Sequence, residues 1–166
     1  PIVDATVINS KKIYKKKNNR KNNKYGVLTF HRQEIADSKT FIKEIIEGVS
    51  QASLKLKLAQ TYFFIHPRTL KNIKKFKLKD FINKFEIIKP MSSIGYINFL
   101  TYLKNSSIVF TDSGGVQQEA VILNIPTIIL REKTEWKSAT IYSRQLISGP
   151  NKEKIIKQSS LVQKKK

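Results

Sequence analysis

Cysteine is absent from the 166 residues, which excludes a disulfide framework, a zinc-thiolate site and a cysteine nucleophile together. Acids are scarce. Twelve Asp and Glu stand against 32 Lys and Arg, for a net charge of +20 and a pI near 10.1. No apolar run approaches the ~18 residues that a membrane span needs, and none at the N-terminus has signal-peptide character. A membrane partner is therefore not expected, and a cytoplasmic setting is. Hydrophobic residues make up 40% and charged residues 27%, a globular rather than a disordered balance. The length suits one domain with one buried core. The chain opens on Pro1, not Met, and residues 1–9 read as the middle of something, so the expectation is a piece of a longer chain.

Residues 11–24 are rich in Lys and Asn and hold no acid. Like charges repel there and nothing apolar is available to bury, so a solvated basic loop is expected after a short helix over 3–14. Beyond it the pattern becomes regular. Short β-branched or aromatic runs at 25–30, 61–65, 86–88, 107–110, 127–130 and 145–147 are continuous in polarity, as in strands covered on both faces. Residues 38–59 place Phe41, Ile45, Ile46, Val49, Ala52 and Leu56 near a 3.6-residue spacing, with Asp37 or Ser38 as N-cap. Further helices are expected over 96–103, over 116–123 (stopping at Asn124 before Pro126) and over 155–162. Alternating strands and helices imply βαβ units, hence an α/β, Rossmann-like parallel sheet with helices on both faces. Ligands in such sheets bind beyond the carboxyl ends of the strands.

Three strand-end loops there carry unusual chemistry. His31-Arg32-Gln33-Glu34 follows the first strand, His66-Pro67-Arg68-Thr69 the second, and Thr111-Asp112-Ser113-Gly114-Gly115 the fourth. The last opens into a helix carrying Glu119. Two glycines let backbone amides approach an anion closely, and the helix N-terminus adds about half a positive charge. Ser113 can add a hydroxyl donor, and Glu119 could accept from ribose hydroxyls. The plainer alternative is a tight strand-to-helix turn, with Ser113 as N-cap and Glu119 on a solvated face. His31 with Arg32 could contact a diphosphate, or His31 could move a proton at neutral pH. Alternatively His31 is hydrogen-bonded at a strand end and Arg32 pairs with Glu34. Pro67 suits the first turn of a helix, so His66 could merely brace its loop. Arg131 is a fourth strand-end polar residue. Several such signals on one rim coincide less readily by accident than any one alone.

These residues resemble the non-hydrolysing UDP-N-acetylglucosamine 2-epimerases. The resemblance is carried by Thr111-Asp112-Ser113-Gly114-Gly115-Val116-Gln117-Gln118-Glu119-Ala120, and by Pro126 with Leu130-Arg131-Glu132-Lys133-Thr134-Glu135-Trp136. His31-Arg32-Gln33-Glu34 is similar to that family's His-Arg-x-Glu loop, and His66-Pro67-Arg68-Thr69 to its His-Pro-Arg-Thr segment. Gly95-Tyr96-Ile97-Asn98-Phe99-Leu100 resembles its Gly-Tyr-x-x-Phe-Leu segment near the uracil pocket. Pro1-Ile2-Val3-Asp4-Ala5 resembles the opening of its C-terminal domain.

The resemblance implies the C-terminal half of a glycosyltransferase-B-type fold, with UDP-sugar between two Rossmann-like domains. The implied reaction interconverts UDP-GlcNAc and UDP-ManNAc, by eliminating UDP to a glycal and adding it back, for cell-surface polysaccharide synthesis. Ser113, Gly114 and Gly115 would hold the diphosphate, Glu119 the ribose, and Phe99 the uracil through its backbone. His31 would meet the phosphates or the reacting sugar, with Arg32, Glu34, Arg131 and Glu135 lining the substrate and His66 and Arg68 as further candidates. No cofactor and no metal is implied.

Two positions depart from the pattern: Trp136-Lys137-Ser138 stands where many members have Arg-Pro-Glu after Thr-Glu, and Ile35 replaces the usual Asn. A Thr-Glu-Trp version fits a branch acting on related UDP-sugars. The expected partners are a UDP-sugar and an N-terminal epimerase domain that holds the acid/base carboxylates, with a homodimer as a candidate assembly. Without that domain the piece alone is expected not to turn over. The alternatives are a non-catalytic nucleotide-binding remnant of a split gene and a basic nucleic-acid-binding protein. Against nucleic acid, the aromatics fall in strands and apolar helix faces rather than among the lysines.

Overall fold

The computed structural model describes residues 23–134 and 143–164. Its strands are β1 (Tyr25–Thr29), β2 (Gln60–Phe64), β3 (Ile88–Met91), β4 (Ile108–Thr111), β5 (Thr127–Ile129) and β6 (Gln145–Ile147). Every pairing is parallel, and the order across the six-stranded sheet is β3-β2-β1-β4-β5-β6. Between the strands lie α1 (Gln33–Ala36), α2 (Lys39–Lys55), α3 (Pro67–Lys75), α4 (Lys79–Asn83), α5 (Tyr96–Lys104) and α6 (Gly114–Ile122), and α7 (Lys152–Val162) closes the fold. The expected helix over 3–14, all but the last two residues of the expected loop over 11–24, and Glu135 lie outside the described residues. Among the described residues no helix is long and apolar enough to cross a membrane.

Successive side chains of a strand point to opposite faces, and here both faces are dry. Leu28, Phe30, Phe63, Ile108 and Phe110 join one core with Ile42, Ile45, Ile46 and Val49 of α2 and Ile155 of α7. Val27, Phe64 and Val109 join the other with Leu100 and Leu103 of α5 and Ala120 of α6. That double covering is why the strands read as unbroken apolar runs. Helices α2 and α7 approach closely at Gly48, where a Cβ would stand 3.0 Å from the Lys152 Cα and 3.1 Å from the Ile155 Cβ.

Several boundaries differ from expectation. The third strand starts at Ile88, because residues 86–87 are a turn closed by the Ile88 amide donating to the Phe85 carbonyl at 2.9 Å. It continues through Pro90, which an edge strand tolerates. Helix α2 stops at Lys55. Lys57 takes φ 55°, its amide donates to Leu54, and the Leu58 amide donates back to Ser53 at 3.0 Å, a Schellman stop. Phe41, placed on the apolar face from its spacing, is 39% exposed at the edge of the stripe that Ile42 and Ile45 centre.

The chain leaves β1 towards the α2 core and leaves β4 towards the α6 core, on opposite faces of the sheet. Neighbouring strands whose connections diverge leave a crevice at their carboxyl ends. The β1 and β4 ends, paired at Thr29 and Thr111, form such a switch point.

Candidate active site

At that switch point the carboxylate of Asp112, the first residue after β4, is 2% exposed. The Arg32 amide donates to its Oδ2 at 2.7 Å, and the His31 amide donates to both oxygens, at 2.9 and 3.1 Å. The His31 ring approaches from the side, with Nδ1 3.6 Å from Oδ1. One buried carboxylate therefore ties the loop after β1 to the loop after β4. Burial pushes its carboxyl up from the ordinary carboxylate range, and the Arg32 and His31 amides pull it back down. Sequence reasoning quoted Asp112 but gave it no role, since its partners lie about 80 residues away.

The next residue, Ser113, caps α6. Its Oγ accepts from the Val116 amide at 3.4 Å, and its own amide donates to Thr111 Oγ1 at 3.0 Å. Gly114 and Gly115 form the first turn, where amides have no carbonyl four residues back. The cap reading and the anion reading of this turn are thus compatible. Capping uses the Ser113 oxygen as an acceptor and leaves its proton to donate.

Glu119 is buried, 6% exposed, and not on a solvated face. Burial raises its carboxyl above the usual range, while a hydrogen bond from Tyr96 opposes the rise. Tyr96, also without a role from sequence, is the first residue of α5 and is 42% exposed. Phe99, one turn-step further, packs its ring edge-on to Phe64 at 5.3 Å, and its amide is already donated to the Gly95 carbonyl. A base meeting this backbone would find the amide engaged.

His66 both braces its loop and joins the rim. As N-cap of α3 its Nδ1 accepts from the Arg68 amide at 3.2 Å, while its ring centre lies 4.9 Å from that of His31. Desolvation lowers its pKa, and His31 beside it acts in the same direction. Arg68 turns to Asp37, Nη1 to Oδ2 3.6 Å. The alternative reading, an Arg32–Glu34 pair, gives way to another: Glu34 Oε1 lies 3.9 Å from Arg131 Nε, which links the loops after β1 and β5.

A buried network that the sequence does not announce supports Arg131. The Thr134 hydroxyl donates to Gln117 Oε1 at 2.9 Å, Gln117 Nε2 donates to Gln145 Oε1 at 3.0 Å, and Gln145 Nε2 donates to the Gln117 carbonyl at 2.9 Å. It fastens the segment after β5 to α6 and β6. Among the described residues no group of three or more His, Asp or Glu is placed to hold a metal ion.

A parallel sheet of this order, with histidines, a capped helix start and a buried acid gathered at its switch point, is a Rossmann-like α/β architecture. The sequence profile of the UDP-N-acetylglucosamine 2-epimerase family matches residues 1–166, and the chain belongs to that family. It is 39% identical over 172 residues to the UDP-N-acetylglucosamine 2-epimerase of Methanocaldococcus jannaschii, covering 99% of this chain and 47% of that one. It is 35% identical over 164 residues to the enzyme of that name from Methanococcus maripaludis, covering 93% and 44%. The chain thus spans about half the length of the curated relatives it matches. The crystal structure of the Methanocaldococcus jannaschii enzyme in complex with UDP-GlcNAc and UDP superposes with a TM-score of 0.90 at 39% identity, over 99% of this chain and 47% of that one. The expected fold is therefore observed, a Rossmann-like sheet of the glycosyltransferase-B kind.

Proposed function

We propose that this chain is the UDP-sugar-binding half of a UDP-GlcNAc 2-epimerase. The observation that carries the reading is the Asp112 carboxylate, which holds the amides of His31 and Arg32 beside the start of α6. In the proposed reaction a base removes the C2 proton of the sugar. The C1–O bond breaks with its electron pair leaving on UDP, and a glycal remains. The proton returns to the opposite face of C2 and UDP adds back at C1.

The role of this half is to hold the departing diphosphate. The amides of Gly114 and Gly115, the Ser113 hydroxyl and the His31 ring are assigned to one anion position, preorganised before charge develops. Glu119 receives the ribose hydroxyls, exchanging its bond from Tyr96, and Arg131 with Glu34 borders the sugar end. Among the described residues, three acids of this rim are already engaged. Asp112 accepts two amides, Glu119 accepts from Tyr96, and Glu34 faces Arg131. None is placed as the C2 base, so that base is proposed to come from a complementary domain.

The test is turnover of UDP-GlcNAc by this chain alone and after addition of the N-terminal domain of the Methanocaldococcus jannaschii enzyme. The expected outcome is no epimerisation alone and measurable UDP-ManNAc on mixing. Ordinary enzyme rates from the chain alone would overturn the assignment of the base.

A further inference from the structure

Gln117, Thr134 and Gln145 are buried behind the rim, too enclosed to meet a nucleotide themselves. Their hydrogen bonds can run in one direction only. The Gln117 carbonyl can only accept, so it fixes the Gln145 amide with Nε2 towards it, at 2.9 Å. Gln145 Oε1 then faces Gln117 Nε2, at 3.0 Å. That leaves Gln117 Oε1 turned to the Thr134 hydroxyl, which must donate, at 2.9 Å. A backbone carbonyl of α6 thus orients two side-chain amides and, through them, places Thr134.

Two features give this relay a place in the site. Gln117 stands one turn into α6, and its own amide donates to the Ser113 carbonyl at 3.0 Å. It therefore moves with the turn assigned to the diphosphate. Thr134 lies three residues past Arg131, the group assigned to the sugar end. The pair that Arg131 makes across the rim is loose: Glu34 is largely exposed, and its Oε1 lies 3.9 Å from Arg131 Nε. An exposed pair of that length does little to hold a side chain. The buried bond from Thr134 to α6 is the firmer constraint on the Arg131 loop. It also closes a ring of ties. Asp112 joins the loops after β4 and β1, Glu34 with Arg131 joins those after β1 and β5, and Thr134 with Gln117 returns to α6.

We propose that Gln117 is a positioning residue for a UDP-sugar: oriented by Gln145, it holds Thr134 and so sets where Arg131 stands relative to the diphosphate turn. This role rests on the nucleotide reading above, and it concerns the sugar end of the ligand rather than the UDP.

The experiment uses the whole isotope-labelled chain with Thr134→Val, which keeps the shape and removes the hydroxyl, and Thr134→Ser, which restores it. Affinities for UDP and UDP-GlcNAc are measured by titration, and the Arg131 Nε–H signal is followed in the free chain. In Thr134→Val the expected result is a shifted Arg131 signal and UDP-GlcNAc weakened about fivefold against UDP, the worth of one neutral hydrogen bond. Thr134→Ser should return both to the natural values. In an Arg131→Met background Thr134→Val should cost nothing further, because it acts through Arg131. Equal weakening of both nucleotides, weakening of neither, or a full further loss in the Arg131→Met background would overturn the proposal. Failure of UDP to bind the natural chain would sink the epimerase reading instead. The relay is then judged by the Arg131 signal, and one that Thr134→Val leaves unmoved overturns it.

Discussion

Asp112 meets only donors at its carboxylate: two amides, with the His31 Nδ1 edge alongside. Asp112→Asn keeps the shape but offers one acceptor oxygen and adds an amide group that cannot accept. The expected cost is about 1–3 kcal/mol of stability, with UDP affinity lowered because the His31 loop loses its tie to α6. Urea unfolding and calorimetric titration with UDP check both. Glu119 offers a test by pH. Its pKa is raised in the fold by burial, so its ionised form costs stability. That cost is absent at pH values below the unfolded carboxyl range, grows as pH rises through the folded pKa, and is complete above it. Glu119→Gln should therefore gain stability relative to the natural chain as pH rises in paired urea melts, while weakening UDP. A constant difference across pH would contradict the assigned cause. The Asp112 tie and the Tyr96 bond to Glu119 are invisible in sequence for one reason: a side chain is printed there, but the amide or hydroxyl it meets across the fold is not.

Helices and strands were legible where burial is two-sided or periodic and long. The continuous runs of β1, β4 and β5 appear because both faces are covered, and α2 appears because its stripe repeats over 17 residues. Helix α1, with four residues, and α4, with five, are too short to show a period. The end of α2 was overrun because Leu56 and Leu58 continue the apolar spacing while lysine at 57 gives no sign of a left-handed turn. That turn recurs. Lys57, Lys77 and Asn124 all have positive φ at the ends of α2, α3 and α6, where glycine is the usual residue. Lys57→Gly should accordingly stabilise the protein by about 0.5–1 kcal/mol, from relief of the left-handed backbone. Denaturant unfolding with an unchanged slope checks it. Destabilisation would mean that the Lys57 side chain outweighs its backbone.

For the whole molecule, topology decides the outcome. The β1–β4 switch point brings together residues 31, 32 and 112 from distant parts of the chain, and the network of Gln117, Thr134 and Gln145 sets the third loop beside them. The net charge of +20 would draw any polyanion weakly and everywhere, so binding alone says little and the place of binding says much. A titration of the isotope-labelled chain with UDP, at moderate and at high salt, reads that place residue by residue. Saturable shifts confined to the amides of His31, Arg32, Gly114 and Gly115, persisting at high salt and abolished in Ser113→Trp, are the expected result. Shifts scattered over the lysine-bearing surfaces and erased by salt, with that rim silent, would contradict it.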